Sequence, residues 1–124
     1  LFPQSEFLGG TQPSDLIDPF RAFIIEIILT FFLMLVIINV STGSKEVGIM
    51  AGFAIGGTVM LEALFAGPMT NASMNPVRSI APALVSGHLE NQWLYLTAPI
   101  IGALLAVASC KLIKDENCCA EGGC

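Results

Sequence analysis

Two polar residues at the start of a short apolar segment could act on a passing solute. Asn75 directly precedes Pro76, and Arg78 follows Asn75 by three residues. Asparagine is a favoured helix N-cap and proline a favoured first helical residue, so the pattern predicts a helix that begins at Pro76. The N-terminus of a helix carries roughly half a positive charge, to which Arg78 adds a full one. We expect this end to donate hydrogen bonds to neutral molecules and to repel cations.

The residues around this pair predict irregular backbone. Residues 67–78 are rich in small and turn-forming types, which we expect to leave N–H and C=O groups unpaired. Such backbone persists at membrane depth only where it lines a wet cavity or is buried in protein. We therefore interpret residues 67–86 as a re-entrant segment whose second part is a half-helix. A purely structural hairpin, with Arg78 extending to the interface, is the alternative.

Three apolar stretches must position this segment. The chain is 54% hydrophobic and 12% charged, which favours a lipid environment. A bilayer core of ~30 Å needs roughly 20 apolar residues, and stretches of that length predict spans at 20–40, 47–66 and 93–113. Trp93 and Tyr95 are predicted to be interfacial rings. The predicted fold class is an all-α membrane protein with three transmembrane helices and one re-entrant half-helix.

The basic residues predict the orientation of the chain. Lys45 lies in the first connection, and Lys111 and Lys114 follow the last span, so both regions are expected to be cytoplasmic. Residues 1–19 then form an extracytoplasmic loop and 114–124 a cytoplasmic tail. We expect no cleavable signal, and the lack of an initial methionine indicates a chain cut from something longer.

The charge balance argues against a nucleic-acid partner. The net charge is -5, and most acidic residues lie in the two polar ends. A phosphate backbone requires a basic cluster, usually with interleaved aromatic residues, and the sequence has none.

Further residues inside the spans have structural interpretations. Glu26 lies in the first span, where a carboxylate is costly unless it faces the protein interior. We favour a local hydrogen-bond acceptor over a proton relay. For Glu62, near the end of the second span, we favour a packed or interfacial carboxylate over one that contacts solute. Gly48, Gly52 and Gly56 share a helix face, which predicts close approach by another helix.

The polar tail ends with Cys118, Cys119 and Cys124. Disulfides are not expected in a reducing cytoplasm. The three thiols could bind a soft metal or a metalloid, but incidental or lipidated cysteines are the preferred interpretation.

Four longer motifs resemble the second half of the major intrinsic protein family, the aquaporins and aquaglyceroporins. They are residues 51–56, Ala66-Gly67-Pro68, residues 73–79 and Ala98-Pro99, and the resemblance covers residues 20–113. It implies two sets of three spans, each with a dipping half-helix, that are related as an inverted repeat. Only the second set is present, so a first repeat or a partner half must supply the other wall, and the complete channel would be a homotetramer.

The resemblance also implies roles for individual residues. Asn75 and Pro76 match the box at the pore centre, and Arg78 matches the arginine of the selectivity filter. Val77 stands where alanine is more usual. Glu26 is similar to a buried glutamate that bonds the backbone of the dipping loop.

Two alanines match the constriction of the channel. Ala63 falls at a filter position that histidine occupies in water-selective members, and Ala72 lies just before the pore-centre box. Asn71 and Ser73 flank Ala72 and would supply carbonyl groups. Small side chains at the two alanines imply a wider and more apolar constriction than one lined by histidine.

The pattern is most similar to nodulin-type intrinsic proteins and their bacterial relatives. Leu96, the second of the discriminating pair Tyr95-Leu96, stands where water-specific members usually carry tryptophan. The implied function is a passive channel for water and small uncharged solutes such as glycerol, urea, arsenite or boric acid. Protons and ions would be excluded, no cofactor or catalytic residue is needed, and the cell membrane is the expected location.

Three other functions remain open at this point. The channel could be selective for water, or the chain could be a non-conducting subunit that lacks its first repeat. An ion-coupled transporter, with Glu26 or Glu62 as the proton site, is the third.

Overall fold

The computed structural model describes residues 8–41 and 45–113, with the backbone alone for 45–48. Regular structure within these residues is α-helical: α1 is Pro19–Ser41, α2 is Lys45–Thr70, α3 is Pro76–Ser86 and α4 is Gln92–Ile113. Three helices are long and apolar enough to cross a membrane, namely α1, α2 from Ile49 onward, and α4. The predicted fold class is confirmed. The cysteine tail, with Cys118, Cys119 and Cys124, lies outside the described residues.

The start of α1 and the end of α3 follow from local sequence signals. The Asp18 carboxylate accepts a hydrogen bond at 3.0 Å from the N–H of Phe20, the second residue of a helix whose first residue is proline. An N-cap acid followed by proline is a favoured helix start. The helix α3 ends at Gly87, whose φ of 77° is the left-handed conformation typical of a glycine C-cap.

The second helix extends further than the sequence predicted. The expectation of irregular backbone from residue 67 onward is wrong for residues 67–70, because α2 continues through Pro68 to Thr70. The N–H of Asn71 donates to the carbonyl of Gly67 at 3.0 Å and completes the last turn. Proline removes one backbone hydrogen bond, which transmembrane helices tolerate where neighbouring groups fix the surrounding backbone. The irregular backbone is confined to residues 71–75, which we term the 71–75 loop.

The close helix approach occurs at a glycine that the sequence did not single out. A Cβ built at Gly102 on α4 would lie 2.5 Å from the carbonyl oxygen of Ile27 on α1. By contrast, a Cβ at Gly52 or Gly56 would meet nothing within 4 Å among the described residues. The predicted glycine contact on α2 is therefore not made inside the described part of the chain, and α1 packs instead along α4.

One side of α2 carries an apolar surface without cover from the described residues. Its exposed large side chains include Ile49, Phe53, Leu61, Leu64 and Phe65. A surface of this size requires lipid or another protein segment to cover it.

Candidate functional site

The 71–75 loop has a backbone that L-residues rarely adopt. Asn71, Ala72 and Met74 have φ values of 62°, 42° and 53°. The left-handed conformation costs roughly 1–2 kcal/mol for most residues, and asparagine accepts it more readily. The loop therefore depends on hydrogen bonds from the elements around it.

The carboxylate of Glu26, fully buried on α1, accepts three hydrogen bonds, two of them from the loop backbone. Its Oε1 accepts from the N–H of Ser73 at 2.9 Å and from the hydroxyl of Thr70 at 2.7 Å. Its Oε2 accepts from the N–H of Met74 at 2.9 Å. The contact between Glu26 and the loop backbone is the one that the resemblance implied. Hydrogen bonds to a charged acceptor are stronger than neutral ones, which suits a group that must hold a strained backbone.

Thr70 is a second support that sequence reasoning missed. Its carbonyl accepts a hydrogen bond from the hydroxyl of Tyr95 at 2.7 Å, while its own hydroxyl donates to Glu26. Tyr95 is fully buried, so the prediction of an interfacial ring is wrong for this residue. Its hydroxyl finds a partner inside the protein, as buried tyrosines usually do. Trp93 is half exposed, and its ring lies 5.4 Å from that of Phe23.

Asn75 caps α3 with one end of its side chain only. The Oδ1 atom accepts from the N–H of Val77 at 2.9 Å and from that of Arg78 at 3.4 Å. No hydrogen bond within the described residues uses its Nδ2 atom, and the side chain is exposed. The predicted cap, with Pro76 as first helical residue, is confirmed. The arrangement leaves two N–H donors beside a positive helix end.

Arg78 is held against the loop that precedes its helix. Its Nη1 donates to the carbonyls of Asn71 and Ala72 at 3.2 and 3.3 Å. The structure therefore brings Asn75, Arg78 and the Asn71 carbonyl into one cluster. The guanidinium remains exposed, so the charge stays at the surface of the described chain.

The two alanines occupy different environments. Ala63 is exposed on α2, whereas Ala72 is 3% exposed and packs with Leu29, Ala66 and Met74. The left-handed backbone of Ala72 turns its methyl group into this apolar cluster, and only its carbonyl reaches Arg78. The methyl group of Ala72 therefore packs inside the described chain, and the role of Ala72 in the constriction stays a prediction. Val77 is 68% exposed at the start of α3.

Glu62 is buried without an internal partner. It is 8% exposed, and neither carboxylate oxygen has a hydrogen-bond partner among the described residues. The preferred interpretation of a packed carboxylate agrees with this burial.

Hydroxyl groups connect the loop to the segment before α1. Thr11, Ser73 and Ser79 are all buried. The hydroxyl of Thr11 donates to that of Ser79 at 2.7 Å, and the Ser79 and Ser73 hydroxyls are in contact. The hydroxyl of Ser73 in turn donates to the carbonyl of Asn75 at 2.9 Å. Sequence reasoning missed Thr11, because nothing in its local sequence distinguishes it from an exposed loop threonine.

Comparison with known proteins assigns this arrangement to a family. The family model for "Major intrinsic protein" matches residues 3–109, which include α1, α2, α3, most of α4 and the 71–75 loop. The chain belongs to the major intrinsic protein family. Its four helices form one repeat of the aquaporin-like fold, and it is an integral multi-pass membrane protein.

Curated relatives within the family carry nodulin or aquaporin names. The chain is 52% identical over 96 residues to Nodulin-26 from Glycine max, covering 77% of this chain and 35% of that protein. It is 43% identical over 112 residues to Aquaporin NIP1-1 from Zea mays, covering 90% and 39%. For Aquaporin NIP6-1 from Arabidopsis thaliana the identity is 48% over 94 residues, covering 76% and 31%. The predicted nodulin-type resemblance is confirmed, and this major intrinsic protein chain spans less than two-fifths of these relatives.

Proposed function

We propose that the chain forms one wall of a passive membrane channel for water and small uncharged solutes. Glycerol, urea and metalloid hydroxides such as arsenite or boric acid are the proposed solutes, and protons and ions are excluded. The observation that carries this proposal is that the two ends of the Asn75 side-chain amide differ in their hydrogen bonds. Its Oδ1 is fixed by two backbone N–H groups, while its Nδ2 has no partner in the described chain. A fixed donor of this kind can exchange hydrogen bonds with successive solute oxygens.

The charges around Asn75 support the exclusion of cations. The N-terminus of α3 presents its helix dipole beside Asn75, and Arg78 adds a full positive charge one turn away. A cation or hydronium ion at this point meets an unfavourable field, whereas a neutral molecule does not. The carbonyls of Asn71 and Ala72 anchor Arg78, so its charge has a defined position.

The exposed methyl group of Ala63 supports a solute range wider than water. A small side chain at this filter position leaves room that a histidine ring would fill. Val77, also exposed, adds apolar surface at the start of α3. A wide and apolar constriction admits molecules that combine carbon or metalloid atoms with hydroxyl or amide groups, and not water alone.

Conduction in this proposal requires a second wall. The chain spans 31–39% of the three relatives described above, and α2 carries an uncovered apolar face. We propose that a first repeat, on the same polypeptide or on a partner, covers that face and presents a second half-helix to Asn75. A homotetramer in the plasma membrane, with residues 8–18 outside, completes the proposal.

Stopped-flow light scattering tests the proposal directly. Liposomes that contain the complete channel, including this chain and its first repeat, are mixed with hyperosmotic glycerol, urea or an impermeant sugar. We expect fast shrinkage in all three and fast reswelling in glycerol and urea. Reswelling no faster than in bare liposomes, together with fast shrinkage, would establish the water-selective alternative. Shrinkage at the bare-lipid rate would establish the non-conducting one.

A further inference from the structure

We propose that the segment before α1 clamps the 71–75 loop, and that Thr11 is a positioning residue of the solute filter. The clamp consists of Thr11, Gln12 and Ser14, which lie more than fifty residues from the loop in the sequence. This inference rests on the proposed function, because it concerns the geometry of the same Asn75 and Arg78 groups.

The buried hydroxyls form a chain with a single direction. The hydroxyl of Ser73 has one proton, which it donates to the carbonyl of Asn75. Its contact with Ser79 must therefore use the Ser79 proton, since each hydroxyl is one donor and two acceptors. The Thr11 hydroxyl, which donates to Ser79, begins the series. Every donor in the chain is then used, and it ends on the backbone of the filter asparagine.

Further contacts of the segment before α1 hold the loop and the end of α2 that leads into it. The N–H of Ser14 donates to the carbonyl of Met69 at 2.8 Å. The Asn71 side-chain amide lies within hydrogen-bond distance of the Gln12 backbone in either amide orientation, and its oxygen accepts from the Gln12 N–H at 3.3 Å in the orientation that satisfies both ends of the amide. The carbonyls that hold Arg78 belong to Asn71 and Ala72. The clamp makes contacts on both sides of them, at Met69 before them and, through the hydroxyl chain, at Asn75 after them.

Thr11 is itself anchored from α4. Its carbonyl accepts from Nε2 of Gln92 at 3.0 Å, and both residues are buried. Thr11 thus connects α4 to α3 and, through Ser79 and Ser73, to Asn75. Loss or displacement of the Thr11 hydroxyl would remove the hydrogen bond that Ser79, the neighbour of Arg78, accepts. Ser79 would then be less firmly held against Ser73, whose hydroxyl bonds the Asn75 carbonyl. Small displacements of this kind change a filter more than they change a fold.

Replacement of Thr11 with valine tests the clamp, because valine keeps the shape and removes the hydroxyl. In liposomes containing the complete channel, we expect Thr11→Val to change the ratio of glycerol to water permeability by about threefold or more. Thr11→Ser, which restores the hydroxyl, should return the ratio to that of the parent. Thr97→Val is the matched control, since among the described residues its hydroxyl bonds only the Trp93 carbonyl, on an exposed face of α4.

Hydrogen exchange gives a second readout that does not depend on conduction. The amides of Ser73 and Met74 should exchange faster in Thr11→Val than in the parent and in Thr97→Val. An unchanged permeability ratio with unchanged exchange would overturn the clamp, as would an equal change in Thr97→Val. If the parent shows no flux above bare lipid, the proposed function fails on its own, and faster exchange in Thr11→Val alone then decides whether the clamp exists.

Discussion

Glu26 and Ser73 lie 47 residues apart in the sequence, and Oε1 of Glu26 accepts the backbone N–H of Ser73 at 2.9 Å. The other carboxylate oxygen accepts the next N–H, that of Met74, at the same distance. One side chain of α1 therefore fixes two consecutive peptide groups in the 71–75 loop. Since three residues of that loop are left-handed, its shape depends on the burial of this carboxylate as much as on its own sequence.

Replacement of Glu26 with glutamine should destabilise the protein by about 2 kcal/mol. The amide keeps one oxygen but presents an NH₂ group to a buried backbone N–H that has lost its acceptor. Thermal unfolding in detergent measures the change. Glu62→Gln is the matched control, because the Glu62 oxygens accept no hydrogen bond from the described residues, and it should unfold near the parent temperature.

The same Glu26→Gln variant distinguishes a channel from a proton-coupled transporter. If the pore stays intact, the ratio of glycerol flux in Glu26→Gln to glycerol flux in the parent should be the same with and without a proton gradient. Loss of uptake only when a proton gradient drives it would contradict the channel and favour the transporter.

Replacement of Asn75 with aspartate separates the cap from the pore donor. Aspartate caps helices as well as asparagine does, so the free energy of unfolding should stay within about 1 kcal/mol of the parent. The two Nδ2 donors disappear and a negative charge replaces them. Glycerol flux should fall about tenfold, which corresponds to ~1.4 kcal/mol of added barrier.

Asn75→Ala is the companion variant and should lose both properties. It removes the acceptor of the Val77 and Arg78 N–H groups, at a cost of ~1 kcal/mol. Parent-like glycerol flux in Asn75→Asp would show that Nδ2 does not contact the solute. Stopped-flow flux and thermal unfolding on the same preparations provide both readings.

Introduction of histidine at Ala63 should narrow the range of solutes. The ring would occupy the space beside an exposed methyl group, and glycerol and urea should slow by about tenfold while water is reduced less. Ala63→Gly, which keeps the site small, should behave as the parent does. An unchanged glycerol-to-water ratio in Ala63→His would place the constriction elsewhere.

Replacement of Gly102 with alanine should separate α1 from α4. The added Cβ would lie 2.5 Å from the carbonyl of Ile27 and 3.0 Å from the Cβ of Thr30. Overpacking of this kind costs ~1–3 kcal/mol, measurable by thermal unfolding. Gly57→Ala is the control, because its Cβ meets nothing within 4 Å in the described chain. Equal unfolding temperatures for the two variants would contradict the close contact.

The elements that depend on local chemistry could be predicted from the amino-acid sequence. The apolar lengths of α1, α2 and α4 predict spans, since a backbone in lipid must satisfy its hydrogen bonds within each helix. The start of α3 at Pro76 follows from one N-cap residue and one proline. A buried acceptor at Glu26 also follows, because an unpaired carboxylate in a membrane is costly. Only the family resemblance, however, indicated which backbone it bonds.

The contacts between distant residues could not be predicted and are seen only in the folded chain. Three features join residues whose local sequence allows several other partners. They are the inward side chain of Tyr95, the close approach at Gly102 and the hydroxyl chain from Thr11. Thr11 and Ser79 are 68 residues apart, and a hydroxyl in either local sequence could equally bond its own backbone or water. The extension of α2 through Pro68 also depends on distant residues. Proline disfavours this helical turn, and the contacts of Thr70 with Glu26 and Tyr95 stabilise it. Packing selects these partners because only the folded chain excludes water from them.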